Sequence, residues 1–176
     1  MGASCLLNLY ATGCLREITV AIDVRLQVVQ YVLEHEAIYT WIPNTESGHD
    51  EPVPVDVSPL IADGLIHVID LERTVERATF VELATLVDDG EAVTGALAFH
   101  RGCSVATDDR KARRVFGERI PSVQLVSTLE LLKLWADVGH VTDTDLRTAM
   151  IAMRSGASYI PRSRDPLFEW WSAIIR

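Results

Sequence analysis

The chain has 176 residues and a formal net charge of −9, with 48% hydrophobic and 23% charged residues. This length and composition exclude a disordered chain and favour a single soluble domain with a sizeable core. The acidic balance argues against non-specific duplex binding, which usually rests on a basic surface, so a nucleic-acid role would need a local basic patch or metal ions.

Targeting signals and cysteine usage favour a cytoplasmic protein with no membrane association. No window approaches the roughly 18 uncharged apolar residues of a membrane span, and no basic region precedes an apolar core at the amino terminus. The three cysteines, Cys5, Cys14 and Cys103, are odd in number and unclustered. We therefore expect reduced thiols that pack in the core rather than a disulfide framework.

The first third of the chain predicts helices, a strand and one long loop. Residues 3–12 form a short predicted helix that ends at Gly13. Residues 22–36 place side chains at helical spacing, which predicts a second helix. The residues on its shared face are Val24, Val28, Tyr31, Val32 and His35. Residues 37–42 are β-branched and aromatic, which predicts a strand, and residues 43–56 are rich in Pro, Gly and acids, which predicts a loop.

The middle of the chain continues the alternation. Ser58 as the cap and Pro59 in the first turn predict a short helix that Gly64 ends. Residues 65–71 predict a strand, and residues 74–87 predict a helix. The side chains that we expect to face inward from this helix are Val75, Ala78, Leu83, Leu86 and Val87.

The last part of the chain repeats the strand–helix order. A helix rich in small residues is predicted at 90–101, and its small side chains would let it approach a neighbouring element closely. Strands are predicted at 103–107 and 121–126, and helices at 127–138 and 142–154. Strands that alternate with helices indicate a parallel sheet covered on both faces. Ligands of such sheets bind beyond the carboxyl ends of the strands.

Carboxylates are concentrated in two segments that could meet in space. Residues 88–92 read DDGEA and place Glu91 in the first turn of a helix, and residues 107–114 read TDDRKARR and place Asp108 and Asp109 after a strand. Carboxylates held together repel each other unless a proton or cation is present, and hard oxygen ligands favour Mg²⁺ or Mn²⁺. The alternative is helix capping, which the helix dipole favours and which spacing alone makes the better interpretation.

A basic run follows the second acidic segment, in the predicted helix after Asp109. Its members are Arg110, Lys111, Arg113 and Arg114. Such a run is typical of a solvated helix face. Beside an acidic metal site it could instead hold an RNA backbone. Both interpretations remain open from the sequence.

Five segments of the chain resemble PIN-domain proteins, most closely the VapC-like branch of small ribonucleases. The segments are ASCLLNLYATG at 3–13, LEHEA at 33–37, LVDDGEAVTGALA at 86–98, SVATDDRKARR at 104–114 and STLELLKLWADVG at 127–139. The order, spacing and intervening helix of the densest stretch, 86–114, all fit. The resemblance implies that residues 1–176 form one domain, a three-layer α/β/α fold with a central parallel sheet. Residues 140–176 would add a helical C-terminal extension.

The resemblance also implies a site of four acids that bind Mg²⁺ or Mn²⁺ and hydrolyse RNA. By position, Glu36 is the second acid, with Glu34 as a register-shifted alternative, Glu91 is the third and Asp109 is the fourth, with Asp108 beside it. The implied catalytic residues are Glu36, Glu91 and Asp109, and Asp108 joins them as a metal ligand. The implied nucleic-acid contacts are Ser4, Thr107, Arg110, Lys111, Arg113 and Arg114.

The amino terminus departs from the PIN pattern. Gly2 stands at the position of the first acid, and only Met1 precedes it where the family has a hydrophobic strand. We therefore expect the first strand to be absent or truncated and any catalysis to be impaired.

Two functions follow from these observations. The first is a toxin-like, metal-dependent endoribonuclease of the PIN type, with RNA as substrate, a small antitoxin protein as partner and a homodimer as a further expected assembly. The second is a non-catalytic PIN-like binding or assembly module that has lost its first metal ligand. A phosphoryl-receiver domain is a more distant option, because neither the strand at 65–71 nor that at 121–126 clearly supplies the aspartate and lysine it needs.

Overall fold

The computed structural model describes residues 1–43 and 50–176, which form a mixed α/β structure dominated by helices. The α-helices are α1 (Ala3–Ala11), α2 (Leu15–Ala21), α3 (Ser58–Ala62), α4 (Thr74–Ala84), α5 (Asp89–Arg101), α6 (Arg110–Arg119), α7 (Thr128–Val138), α8 (Asp143–Gly156) and α9 (Phe168–Ile175). A π-helical turn covers Val32–Glu36. The strands are β1 (Leu26–Val29), β2 (Tyr39–Pro43), β3 (Asp50–Pro54), β4 (Ile66–Ile69), β5 (Val105–Ala106) and β6 (Leu125–Val126).

In the described ranges, the strands pair into three two-stranded sheets. β1 and β4 run parallel, with Leu26 opposite Ile66, and β5 and β6 run parallel, with Val105 opposite Leu125. β2 and β3 form an antiparallel pair. The predicted α/β class is therefore confirmed, but the strands form two separate parallel pairs and a hairpin rather than one continuous sheet.

The amino terminus lies between the two parallel pairs. The amino group of Met1 donates to the Gln27 carbonyl of β1 at 2.8 Å, and the Gly2 N–H donates to the Ala106 carbonyl of β5 at 2.9 Å. Successive residues that bond to opposite neighbours follow the pattern of a central strand. Because α1 begins at Ala3, this strand-like segment is only two residues long.

The core consists of two clusters. The larger one joins α1, β1, α7 and α8, and the smaller one joins α5, β5 and α6. Phe116 of α6 is fully buried against α5, where a Cβ at Gly95 would lie 2.7 Å from its ring. The predicted close approach of the small-residue helix is thus confirmed at Gly95, and burial of a side chain such as Phe116 contributes about 1.5–3 kcal/mol.

The predicted helix at 22–36 is wrong. The chain instead forms β1, a turn and the π-helical segment, and Val24 is 46% exposed. Leu26 and Val28 are buried while Gln27 is only partly so, which is the alternation of a strand. Pairing with β4 satisfies the backbone of these residues, so the strand prevails over the helical spacing.

Two details of the predicted middle helices are also wrong. Val57, not Ser58, is the N-cap of α3, and the Ser58 N–H bonds to Asp56 Oδ1 at 2.9 Å. In α4, Val75 and Ala78 are exposed although we expected them to face inward. The buried side chain of that first turn is Glu76, whose charge Arg101 compensates. The observed helix ends at Ala84, three residues before the predicted end.

The predicted loop at 43–56 contains β3, which pairs with β2, and residues 44–49 of it lie outside the described residues. Proline and acids at 50–54 hid this strand, because both are depleted in strands. The expectation for the cysteines is confirmed at Cys5, which is buried, and wrong at Cys103, which is exposed. Cys14 is half-buried.

The C-terminal residues 140–176 pack on the rest of the chain. Leu146, Met150 and Met153 of α8 belong to the larger core cluster, together with Trp171 of α9. This segment is therefore part of the core that it shares with α1. No helix in the described part of the chain is both long and apolar enough to cross a membrane.

Candidate functional site

Three of the predicted acids lie where α5 begins and β5 ends. Glu36 ends the π-helical turn, Glu91 lies in the first turn of α5, and Asp109 caps α6 just after β5. The strand end and the two helix amino termini bring the three carboxylates into one region, and the helix dipoles favour negative charge there.

Glu91 is the buried centre of this region. Its Oε1 accepts a hydrogen bond from the Thr107 hydroxyl at 3.0 Å, whereas its buried Oε2 has no hydrogen-bond partner. The side chain is 9% exposed. Burial raises the pKa of Glu91 to about 7, and the negative charges of Asp109 and Glu36 raise it further. A carboxylate in this position can exchange a proton near neutral pH.

Glu36 reaches the same helix start. Its Oε1 accepts from the Gly90 N–H at 3.1 Å. A Cβ at position 90 would overlap the Glu36 carboxylate, so only glycine permits this approach. Burial raises the pKa of Glu36, and the charges of Asp88 and Asp89 add to the effect. Because Gly90 precedes Glu91 directly, the two glutamates are neighbours.

The register-shifted alternative, Glu34, lies elsewhere. Its side chain is 54% exposed, and its Oε1 accepts from Gln30 Nε2 at 2.7 Å on the outer side of the turn. The structure therefore brings Glu36, rather than Glu34, to Glu91.

Asp109 combines a capping role with a place at the site. Its Oδ1 accepts from the Ala112 N–H at 2.7 Å, as an N-cap does. Its own N–H donates to the Thr107 hydroxyl at 3.1 Å, and that hydroxyl donates in turn to Glu91. Thr107 is fully buried and thus links the third and fourth acids. The capping interpretation holds for Asp109, whose second carboxylate oxygen has no intramolecular bond in the described residues.

Asp108 points away from this group and is saturated by donors. Its Oδ2 accepts from Asn8 Nδ2 at 2.9 Å and from the Thr128 hydroxyl, and its Oδ1 accepts from the Thr128 N–H at 3.0 Å. The Cys5 thiol lies 3.4 Å away, and the Ser4 hydroxyl accepts from the Asp108 N–H. Asp108 therefore ties β5 to α1 and α7.

Asn8 and Thr128 are polar partners that the sequence analysis missed. Asn8 lies one turn after Ser4 on α1, so the two share a helix face. Thr128 directly follows Ser127, the cap of α7, just past the carboxyl end of β6. The rule that sites form beyond strand ends could have identified Thr128.

Gly2, at the expected position of the first acid, lies against Glu91. A Cβ at position 2 would be 2.6 Å from Glu91 Oε1. An acidic side chain there would enter the same carboxylate group. As the chain stands, this position contributes no oxygen ligand.

The carboxylates supply the donor type that Mg²⁺ and Mn²⁺ prefer. As the side chains are placed, no group of three or more His, Cys, Asp or Glu residues in 1–43 and 50–176 could already hold a metal ion. The buried Oε2 of Glu91 is nevertheless an orphaned acceptor beside two further carboxylates. These residues fit a divalent cation by chemistry, and binding would require the carboxylates to converge.

The predicted basic residues lie next to Asp108. Arg110, Lys111 and Arg114 are exposed, whereas Arg113 donates to the Thr107 carbonyl at 2.9 Å. Arg110 and Arg113 line a cleft of about 880 Å³. Its opposite wall, which the sequence analysis missed, comes from the segment between α8 and α9 and includes Tyr159, Arg162 and Arg164.

Comparison with known proteins adds no family assignment. No family model, no curated protein and no solved structure matches this chain.

Proposed function

We propose that this chain is a metal-dependent endoribonuclease of the PIN type. The observation that carries the proposal is the buried Glu91, whose Oε2 lacks a partner while Glu36 and Asp109 lie at the same strand end. Burying unpaired carboxylate oxygen is costly, and a cation would remove that cost. The acids are therefore more readily explained as ligands than as structural groups alone.

The residues of this chain have distinct roles in the proposed reaction. Glu36, Glu91 and Asp109 would hold Mg²⁺ or Mn²⁺, which supplies an activated water and neutralises phosphate charge. Thr107 orients Glu91 and fixes the backbone of Asp109 through its hydroxyl. Arg110 and Lys111, at the start of α6, would bind the RNA backbone, with Arg113 bracing the end of β5. Asp108 positions the strand end rather than binding the ion.

The test is cleavage of a labelled single-stranded RNA panel in Mn²⁺ and in EDTA. The unmodified chain should cut slowly in Mn²⁺ and not in EDTA, and Asp109→Asn and Glu91→Gln should each lose at least tenfold in rate. Glu118→Gln, an exposed acid of α6, is the matched control and should retain the rate. Cleavage that persists in EDTA, or that survives both site variants, would contradict the proposal.

Gly2 favours the second candidate, a non-catalytic PIN-like binding module. The position nearest Glu91 Oε1 carries no side chain, so the ion would have one ligand fewer. RNA binding without cleavage, across the panel and in Mn²⁺, would support this alternative. A small antitoxin partner remains a prediction from the resemblance.

A further inference from the structure

A second cleft, independent of the acidic site, lies between the two parallel strand pairs. It has a volume of about 550 Å³ and is bordered by residues 24–27 on the β1 side and by residues 103–106 on the β5 side. Each of these strands pairs with one neighbour in the described chain, β1 with β4 and β5 with β6. Their other edges therefore face the cleft.

The cleft has the lining that a buried strand requires. Leu97 and Ala98 of α5 form one wall, and Leu131 and Leu134 of α7 belong to the other. A central parallel strand is apolar on both faces because helices cover both sides of the sheet. Thr94 also lines the cleft, and its buried hydroxyl has no hydrogen-bond partner in the described residues.

Met1 closes one end of this cleft. Met1 and Gly2 already bond to Gln27 and Ala106 as the next two residues of a strand in this position would. A peptide lying in the cleft in line with them cannot continue past Met1. Such a peptide must therefore end there.

The charge at the closed end indicates which terminus is bound. The amino group of Met1 is buried, and its hydrogen bond goes to the neutral Gln27 carbonyl. Glu91 acts on it only at longer range, since no carboxylate in the described residues forms an ion pair with it. A free α-carboxylate at this point would pair with the ammonium in a poorly solvated environment.

We propose that the cleft binds the apolar carboxyl-terminal strand of a partner chain, parallel to β1 and β5, with its α-carboxylate on the Met1 ammonium. Strand addition at unpaired edges gives affinity through main-chain hydrogen bonds, and alternate side chains enter the two apolar walls. Four residues, the length of β1, span about 13 Å. The Cys103 thiol and Gln27 Oε1, which lie 3.9 Å apart, must separate to admit the peptide.

The experiment measures fluorescence anisotropy of the peptide Lys-Gly-Ser-Val-Ile-Val-Val, labelled at its amino end, with the full chain. Saturable binding with a free carboxylate is expected. The amidated peptide, and a peptide with proline in place of the central isoleucine, should each bind at least tenfold more weakly. Leu134→Glu places a charge at the mouth and should also weaken binding tenfold. Val138→Glu, on the same helix but outside the cleft, should not.

Two outcomes would overturn the proposal. One is equal binding of the free and amidated peptides, because the carboxylate would then have no role. The other is an absence of binding in trans, combined with a higher melting temperature when the same four apolar residues are fused directly ahead of Met1. That result would assign the cleft to a covalently attached strand instead.

Discussion

Replacing Glu91 by glutamine should change the stability of this chain in a pH-dependent way. In the folded state burial raises the pKa of Glu91 from 4.5 to about 7. The folded chain therefore binds more protons than the unfolded chain between these values, and its stability falls as the pH rises through this window. A rise of about 2.5 pH units corresponds to roughly 3 kcal/mol at pH 8, at about 1.4 kcal/mol per unit.

Glutamine keeps the shape of Glu91 and can still accept from Thr107, but it cannot ionise. In EDTA, Glu91→Gln should match the unmodified chain near pH 4.5 and exceed it by up to about 3 kcal/mol at pH 8. For a domain of this size that gain corresponds to a melting temperature higher by about 6–12 °C. Urea denaturation at both pH values measures the free energy of unfolding directly.

Adding Mn²⁺ at pH 8 should reverse the order of the two proteins. The cation stabilises only the folded state that assembles its ligands, and a neutral amide is the poorer ligand. Glu118→Gln should differ from the unmodified chain by less than about 0.5 kcal/mol at either pH, as exposed substitutions usually do. If the stability difference between Glu91→Gln and the unmodified chain is the same at pH 4.5 and pH 8, ionisation of Glu91 carries no folding cost and the reasoning fails.

Three further predictions concern other parts of the chain. Gly2→Asp places a carboxylate against Glu91, so it should lower the melting temperature in EDTA and increase both the Mn²⁺-induced rise and RNA cleavage. Adding Asp109→Asn should abolish that cleavage, and a Gly2→Asp variant unaffected by Mn²⁺ in all these assays would show that position 2 is not a ligand position. Arg101→Met removes the hydrogen bonds that hold the pKa of the buried Glu76 near 2, and should cost about 3 kcal/mol at pH 7 by urea denaturation, with the loss shrinking as the pH falls through 4.5 toward 2. An equal loss at pH 7 and pH 2 would contradict the ionic role. Arg110→Gln with Lys111→Gln should weaken RNA binding and flatten its salt dependence, whereas the exposed Arg154→Gln of α8 should not, and equal effects in anisotropy titrations would argue for a solvated helix face.

Elements with strong punctuation could be predicted from the sequence. Gly13 and Gly64 adopt positive φ at the ends of α1 and α3, and the capping box of Ser127 and Glu130 begins α7. β1 could not be predicted, because four residues fit both a strand and a helical face until β4 pairs with them. β3 could not be predicted because its pairing with β2 overrides its proline-rich composition.

The acids could be identified from the sequence, but their different environments could not. The sequence gives Asp108 and Asp109 equal standing, whereas in the fold Asn8 and Thr128 saturate the first and leave the second at the site. These donors lie 100 and 20 residues away in the chain, so only the tertiary structure separates the two roles. The same holds for Gly90, whose missing side chain admits Glu36.

Gly156 has a consequence for how the molecule opens. A Cβ at this position would lie 3.1 Å from Ala11 Cβ and 3.2 Å from the Trp41 carbonyl, so the end of α8 is wedged directly against α1 and the β2–β3 hairpin. None of the three can move away without exposing the others. The hairpin, although peripheral, should therefore exchange its amide hydrogens in the same cooperative unit as α1 and α8 rather than as a fraying edge.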